Sequence, residues 1–440
     1  MMHKRSLATW ATLLLMAASV SAVDLSVDQA VDYALSHSRT LQSARIDLDI
    51  LEQDAKTSWN SLLPTMQVNT MLSRRNEVAD TAKTMETGKY QTKDPDWSLV
   101  TNLSFSWNFT PALLTQMELT KQQYANGQLT WEQNVAQTKV NVKKLYYAVL
   151  LQQESLKISE QTLANQKERM EQTKELYEQG YASELSYLQT QVAYENQLAS
   201  VKSARQTVAQ QKRTLAFTLG MEDENTELNL TTPIETEFVA VDAARAYSRI
   251  GYRYDIRSLE QQAALLDTQL KLLDQSSFYP VFVASLSTTP TIGDISHDWF
   301  DRDAGNITDQ GSISFGLSFN ITNALPWSSA RQKARQLKQN MEKMQVARGT
   351  LNASAHMEIT NLLDQLEQAQ DQIESAQRNI ELAQKSYDMT NEAYQTGFSE
   401  LLDVNDAQRA LNQAKLGKMS NQYTYLSALL DLEYATQDNL

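Results

Sequence analysis

Two stretches of the chain alternate between apolar and polar residues. From Leu99 to Phe109 one side carries Leu99, Thr101, Leu103, Phe105, Trp107 and Phe109, while Val100, Asn102, Ser104, Ser106 and Asn108 lie opposite. From Ser312 to Ile321 the period returns, with Ile313, Phe315, Leu317, Phe319 and Ile321 against Ser312, Ser314, Gly316, Ser318 and Asn320. A period of two predicts strands with one apolar and one polar face. Weaker alternations at Met66, Val68, Thr70 and Leu72, and at Phe282, Ala284, Leu286 and Thr288, predict a partner for each. The four expected strands are 64–73, 98–109, 280–288 and 312–321.

Elsewhere the period is 3.5. Ile359, Leu362, Leu366, Ala369, Ile373, Ala376, Ile380, Ala383, Tyr387, Thr390 and Tyr394 step by three and four. A shift of 217 residues superposes this series on Val142, Leu145, Val149, Gln152, Leu156, Ser159, Leu163, Gln166, Met170, Thr173 and Tyr177. The same shift pairs Gly180 with Gly397, Leu185 with Leu402 and Gln191 with Gln408. The chain therefore reads as a duplication. One repeat spans 23–220, an acidic connector 221–241, and the second repeat 242–440. Each repeat reads helix, strand, loop, strand, long helix, turn, helix. The long helices, 112–179 and 327–396, would each run about 100 Å at ~1.5 Å per residue. Their narrow apolar stripe buries seams and leaves the other faces wet.

Composition narrows the function. Twelve Gly and seven Pro in 440 residues suit long helices and argue against a turn-rich globular fold. There is no Cys, which excludes thiolate metal sites, disulfides and cysteine nucleophiles; the four His are dispersed. No nucleotide-binding or hydrolase motif is present, so no enzyme, cofactor or metal is expected. The scattered methionines read as seam packing. A net charge of −14 argues against nucleic acid as a partner. Lys4 and Arg5 before an apolar Leu7–Val20 stretch, with Val20-Ser21-Ala22 following, read as a cleaved signal peptide over 1–22.

An exported chain without an apolar span of about 18 residues could enter a membrane only as strands. Each expected strand is close to the length that spans a bilayer when tilted, and Trp97, Trp107, Phe278, Tyr279 and Trp327 lie near strand ends, where an aromatic girdle belongs. The segments 73–96 and 289–311 are polar and suit external loops. Four strands cannot close a barrel, so the chain would need copies of itself: a dimer gives eight strands, a cyclic trimer twelve. The alternatives are a soluble sheet packed on helices, or a periplasmic or surface coiled-coil scaffold without channel activity. The scaffold explains the heptads but not matched amphipathic strands in both halves.

The arrangement resembles the TolC-type outer-membrane efflux proteins over essentially the whole mature chain. The most specific segment is Gly397-Phe-Ser-Glu-Leu-Leu-Asp403-Val-Asn-Asp406-Ala-Gln408, similar to that family's helix-hairpin tip motif, supported by Tyr254-Asp-Ile256 and Tyr279-Pro280. The resemblance implies a mainly α protein whose four strands complete a trimeric twelve-stranded β-barrel, continued by a coiled-coil α-barrel. It implies an outer-membrane exit duct for small molecules or polypeptides, working in efflux or type I secretion with a periplasmic adaptor and an inner-membrane pump. Asp403 and Asp406 match the aspartates of the family's pore constriction, and Gly180, Leu185, Gly397 and Leu402 sit at the hairpin tips that meet the partners. Three apart, the two aspartates share a helix face. Threefold symmetry would gather six carboxylates, with neighbours at roughly 6–8 Å repelling by about 2–3 kcal/mol at an effective dielectric near 20. Equally, Glu400 and Asp403 suit the first turn of a helix. Ser186 and Gln189 replace the aspartates in the first repeat, and Ser399 stands where TolC has an Arg.

Overall fold

The computed structural model describes residues 23–74, 97–221, 228–234, 236–292 and 307–438. The expected signal peptide lies outside these residues, as do most of the two expected external loops. In chain order the elements are β1 (Val23–Leu25), α1 (Val27–His37), α2 (Arg39–Thr57), β2 (Thr65–Arg74), β3 (Trp97–Phe109), α3 (Pro111–Glu178), α4 (Glu184–Leu219) and β4 (Leu228–Leu230). Then follow α5 (Ala243–Ser248), α6 (Tyr254–Phe278), β5 (Val281–Thr288), β6 (Pro290–Ile292), β7 (Ile307–Asp309), β8 (Ser312–Ser318), α7 (Ser329–Gln395) and α8 (Leu401–Thr436). The chain forms two compact units: Met1–Ala44 with Glu132–Arg253 and Ser354–Leu440, and Arg45–Trp131 with Tyr254–Ala353.

The second of these units carries the sheet. β3 pairs antiparallel with β2 along one edge and with β5 and β6 along the other; β8 pairs with β5, and β7 with β6. Register carries the alternation across every strand. Met66, Phe105, Leu286 and Ile313 form one apolar row, and Thr65, Ser106, Ser285 and Ser314 the polar row beside it. Hydroxyls bond across that polar face, Thr65 to Ser106 at 2.6 Å, Ser285 to Ser314 at 2.5 Å and Ser287 to Ser312 at 2.9 Å. Within β2, β3, β5 and β8 the only charged side chain is Arg74, at a strand end.

Two strand expectations shift. The fourth strand stops at Ser318 instead of 321, because Ile321–Ala324 turn into a 3-10 helix ahead of Pro326. Pairing also runs past residue 288 into segments expected to be loop. Pro290 has no N–H, and the ladder breaks at Thr289. There the Asp309 carboxylate accepts from the Thr288 hydroxyl at 2.6 Å and the Thr289 amide at 3.1 Å, and β6 and β7 resume beyond it.

The other unit is helical, with one short parallel pair, β1 with β4. Its core gathers Val31 and Ala34 of α1, Val142, Tyr146 and Val149 of α3, Leu215 and Leu219 of α4, and Leu228. Tyr146 is fully buried and spends its hydroxyl twice: it donates to Leu25 O at 2.8 Å and accepts from Thr232 N at 3.0 Å. One side chain thus ties the start of the chain and the connector to α3. The heptad stripe of α7 is buried from Ile359 to Ile373 and half-buried from Ala376 to Tyr394.

Candidate functional site

Two hairpins, α3–α4 and α7–α8, turn with the same geometry. Gly180 and Gly397 have φ of +81° and +80°, the left-handed region that glycine enters without a Cβ clash. Behind each, the next amide closes the helix end: Tyr181 N donates to Leu176 O and Phe398 N to Ala393 O, both at 2.8 Å. The residue after the glycine is thereby pushed out of the helix, and Tyr181 is 82% exposed and Phe398 90%. Leu185 and Leu402, in the first turns of α4 and α8, are exposed as well. Each tip therefore presents an aromatic and a leucine to its surroundings. The aromatic pair was not among the sequence candidates; its signal is an aromatic immediately following a helix-ending glycine.

The two aspartates have different local duties. Asp403 Oδ2 accepts from the Glu400 amide at 3.1 Å and from Ser399 Oγ at 2.9 Å, capping α8. In the first repeat the bond runs the other way: Ser183, the N-cap of α4, accepts through Oγ from Ser186 N at 3.1 Å. Asp406 is exposed and pairs with Arg409 one turn on. Between them Val404 is fully buried, fixing which face of α8 turns inward, while both carboxylates stay in water.

Behind this turn lies a link that sequence reading missed. Arg169 of α3 donates through Nη1 to Asn405 Oδ1 at 2.9 Å and through Nη2 to the Tyr387 hydroxyl at 3.4 Å. Two turns further, Asn412 Nδ2 donates to Thr162 Oγ1 at 2.8 Å.

The expected girdle residues fall at both ends of the sheet. Trp97 and Trp107 lie on the apolar face of β3, with the Arg74 guanidinium 5.7 Å from the Trp97 ring. Trp107 Nε1 donates to Leu62 O at 2.8 Å, and its ring meets Phe109 and Phe282. Phe278 ends α6 under the Arg331 guanidinium at 4.4 Å, and Tyr279 is exposed just before β5. The stretch Leu99–Phe109 rises about 33 Å, or about 24 Å along the normal if tilted 45°, close to the apolar band of a membrane barrel. Among the described residues no helix is long and apolar enough to cross a membrane, and no group of His, Asp and Glu is placed to hold a metal.

The sequence profile of the outer membrane efflux protein family matches residues 30–221 and, a second time, 251–436. The chain belongs to that family. The double match meets the duplication read from the heptads, and the fold is mainly α with a small sheet repeated in kind by the family's solved members. The structure of CusC, described in terms of folding and transmembrane channel formation, superposes with a TM-score of 0.75 at 17% identity, covering 94% of this chain and 92% of that one. The outer membrane protein VceC of Vibrio cholerae gives 0.72 at 16%, covering 93% and 95%. The Campylobacter jejuni CmeC outer membrane channel gives 0.74 at 18%, covering 93% and 85%. No curated protein matches the chain. Outer membrane efflux proteins are transport proteins, and this chain shares their fold over nearly its full length.

Proposed function

We propose that the chain is the outer-membrane exit duct of a tripartite efflux or type I secretion machine, working as a homotrimer and without catalysis. The observation that carries this reading is the sheet: one apolar face, one uncharged polar face, and two outer edges, β2 on one side and β8 with β7 on the other, with no further partner among the described residues. Lipid does not tolerate open edges, so the sheet must close with copies of itself. Two copies would give an eight-stranded barrel, whose interior side chains fill; three give twelve strands and room for water along the hydroxyl-lined face.

In this reading the apolar rows face lipid between girdles at Trp97 and at Trp107, Phe278 and Tyr279. Asp403 and Asp406 form the pore constriction, six carboxylates about the threefold axis. The tips at Gly180, Leu185, Gly397 and Leu402, with Tyr181 and Phe398, meet a periplasmic adaptor and an inner-membrane pump. The segment 1–22 directs export, and the helical repeats stand in the periplasm.

The test is conductance. Purified protein in planar bilayers should conduct with cation selectivity, and Asp403→Asn with Asp406→Asn should shift the reversal potential toward the nonselective value. A water-soluble monomer without bilayer activity would sink the proposal.

A further inference from the structure

The chain is acidic overall, yet the first turns of α7 are basic: Arg331, Lys333, Arg335 and Lys338 precede the first acid, Glu342. Arg331, Arg335 and Lys338 stand at i, i+4 and i+7 and so share one helix face. All three are exposed, and none is ion-paired among the described residues. Immediately before them Trp327 is 77% exposed, and before that Phe315 of the edge strand β8 is 74% exposed on the apolar face. Apolar strand, indole and cationic turn follow one another along the chain, the sequence of environments met on leaving a bilayer. The matching positions of α3, 217 residues earlier, hold Leu114, Glu118 and Lys121, and Glu118 instead faces Lys271 at 3.8 Å. The basic face therefore belongs to the second repeat alone.

We propose that Arg331, Arg335 and Lys338 bind the phosphates of anionic glycerophospholipids in the leaflet where the sheet gives way to helices. This rests on the membrane reading above and adds a lipid class to it. Arg335 and Lys338 lie about 9 Å and 14 Å along the helix from Ser329, at ~1.5 Å per residue. A headgroup layer is roughly 6 Å deep, and these long side chains reach back toward it. Arg331 is held by the Phe278 ring, which leaves its guanidinium N–H groups free for phosphate oxygens. Charge complementarity selects an anionic over a zwitterionic headgroup.

The experiment uses the full chain. Flotation with phosphatidylcholine vesicles, and with vesicles also containing phosphatidylglycerol, reports membrane entry; native mass spectrometry of protein released in mild detergent reports which lipid is retained. The wild type should retain phosphatidylglycerol over phosphatidylcholine by about tenfold at low salt. The variant Arg331→Gln, Arg335→Gln, Lys338→Gln should still float but lose that preference. The charge-matched control Lys167→Gln, Lys174→Gln, Lys202→Gln should keep it. A wild type that floats without preference, or a triple variant that keeps it, overturns the lipid assignment and leaves the channel reading standing. Failure to float with either vesicle overturns both.

Discussion

Arg169 reaches from α3 to Asn405 of α8 across 236 residues of sequence, at 2.9 Å, and the same guanidinium touches Tyr387 of α7. A charged donor here serves neutral acceptors, and the bond to Asn405 has the short distance that an ionised donor favours, while the contact to Tyr387 is longer and weaker. Both hairpins are thereby joined within the chain, directly behind the segment carrying Asp403 and Asp406.

Arg169→Ala should free the start of α8 while leaving the core of the helical unit intact. We expect a loss of about 1–2 kcal/mol and faster amide exchange confined to the first turns of α8. Hydrogen-exchange mass spectrometry on the purified protein checks it; protection unchanged around Asn405 would remove the link from the account.

Glycines with nearly equal φ should differ sharply on substitution. At Gly397 a Cβ would meet nothing within 4 Å, so Gly397→Ala costs only the left-handed backbone, about 1–2 kcal/mol. At Gly220, φ +84°, the same atom would collide with the backbone carbonyl of His37. Gly220→Ala should lower the thermal midpoint well beyond Gly397→Ala, and equal melting curves would contradict the packing.

Phe315 lies mid-strand on β8, opposite Ala284 and on the apolar face. In the proposed barrel, Phe315→Arg would place a charge against hydrocarbon at a cost of about 2–4 kcal/mol per copy. The expected result is loss of the proposed trimer on native gels, while Ser314→Asn on the polar face assembles normally.

On α2, Lys56 bonds and attracts Glu52 at 2.6 Å, holding that carboxyl below its usual range and raising the lysine. A depressed acid stabilises the fold above its unfolded pKa, and the contribution is lost as pH falls through the folded value. The lysine's share is present below its unfolded pKa and lost as pH rises through the raised one. Glu52→Gln should therefore lower the melting temperature slightly at neutral pH and not at all in acid. The effect is small because the pair is exposed.

What the sequence made legible follows from how local each signal is. Alternation over Leu99–Phe109 located β3, and the register then placed every partner row. The glycine-ended helices announced the tips. By contrast β1 and β4 have three residues each and no period to detect, and they pair with each other across more than 200 residues of sequence. Arg169 looked like any polar seam residue because its partners are remote in sequence. Asp403 was readable both as a pore acid and as a cap; the cap is local and visible in one chain, whereas a ring of carboxylates requires copies.

The rows of serine and threonine on the sheet have a consequence for traffic. A hydroxyl both gives and takes a hydrogen bond and carries no charge, so such a wall wets easily and exchanges partners with cations, anions and neutral solutes on similar terms. In the proposed barrel such a wall would not discriminate by sign, and selectivity for cations would rest on the proposed constriction at Asp403 and Asp406.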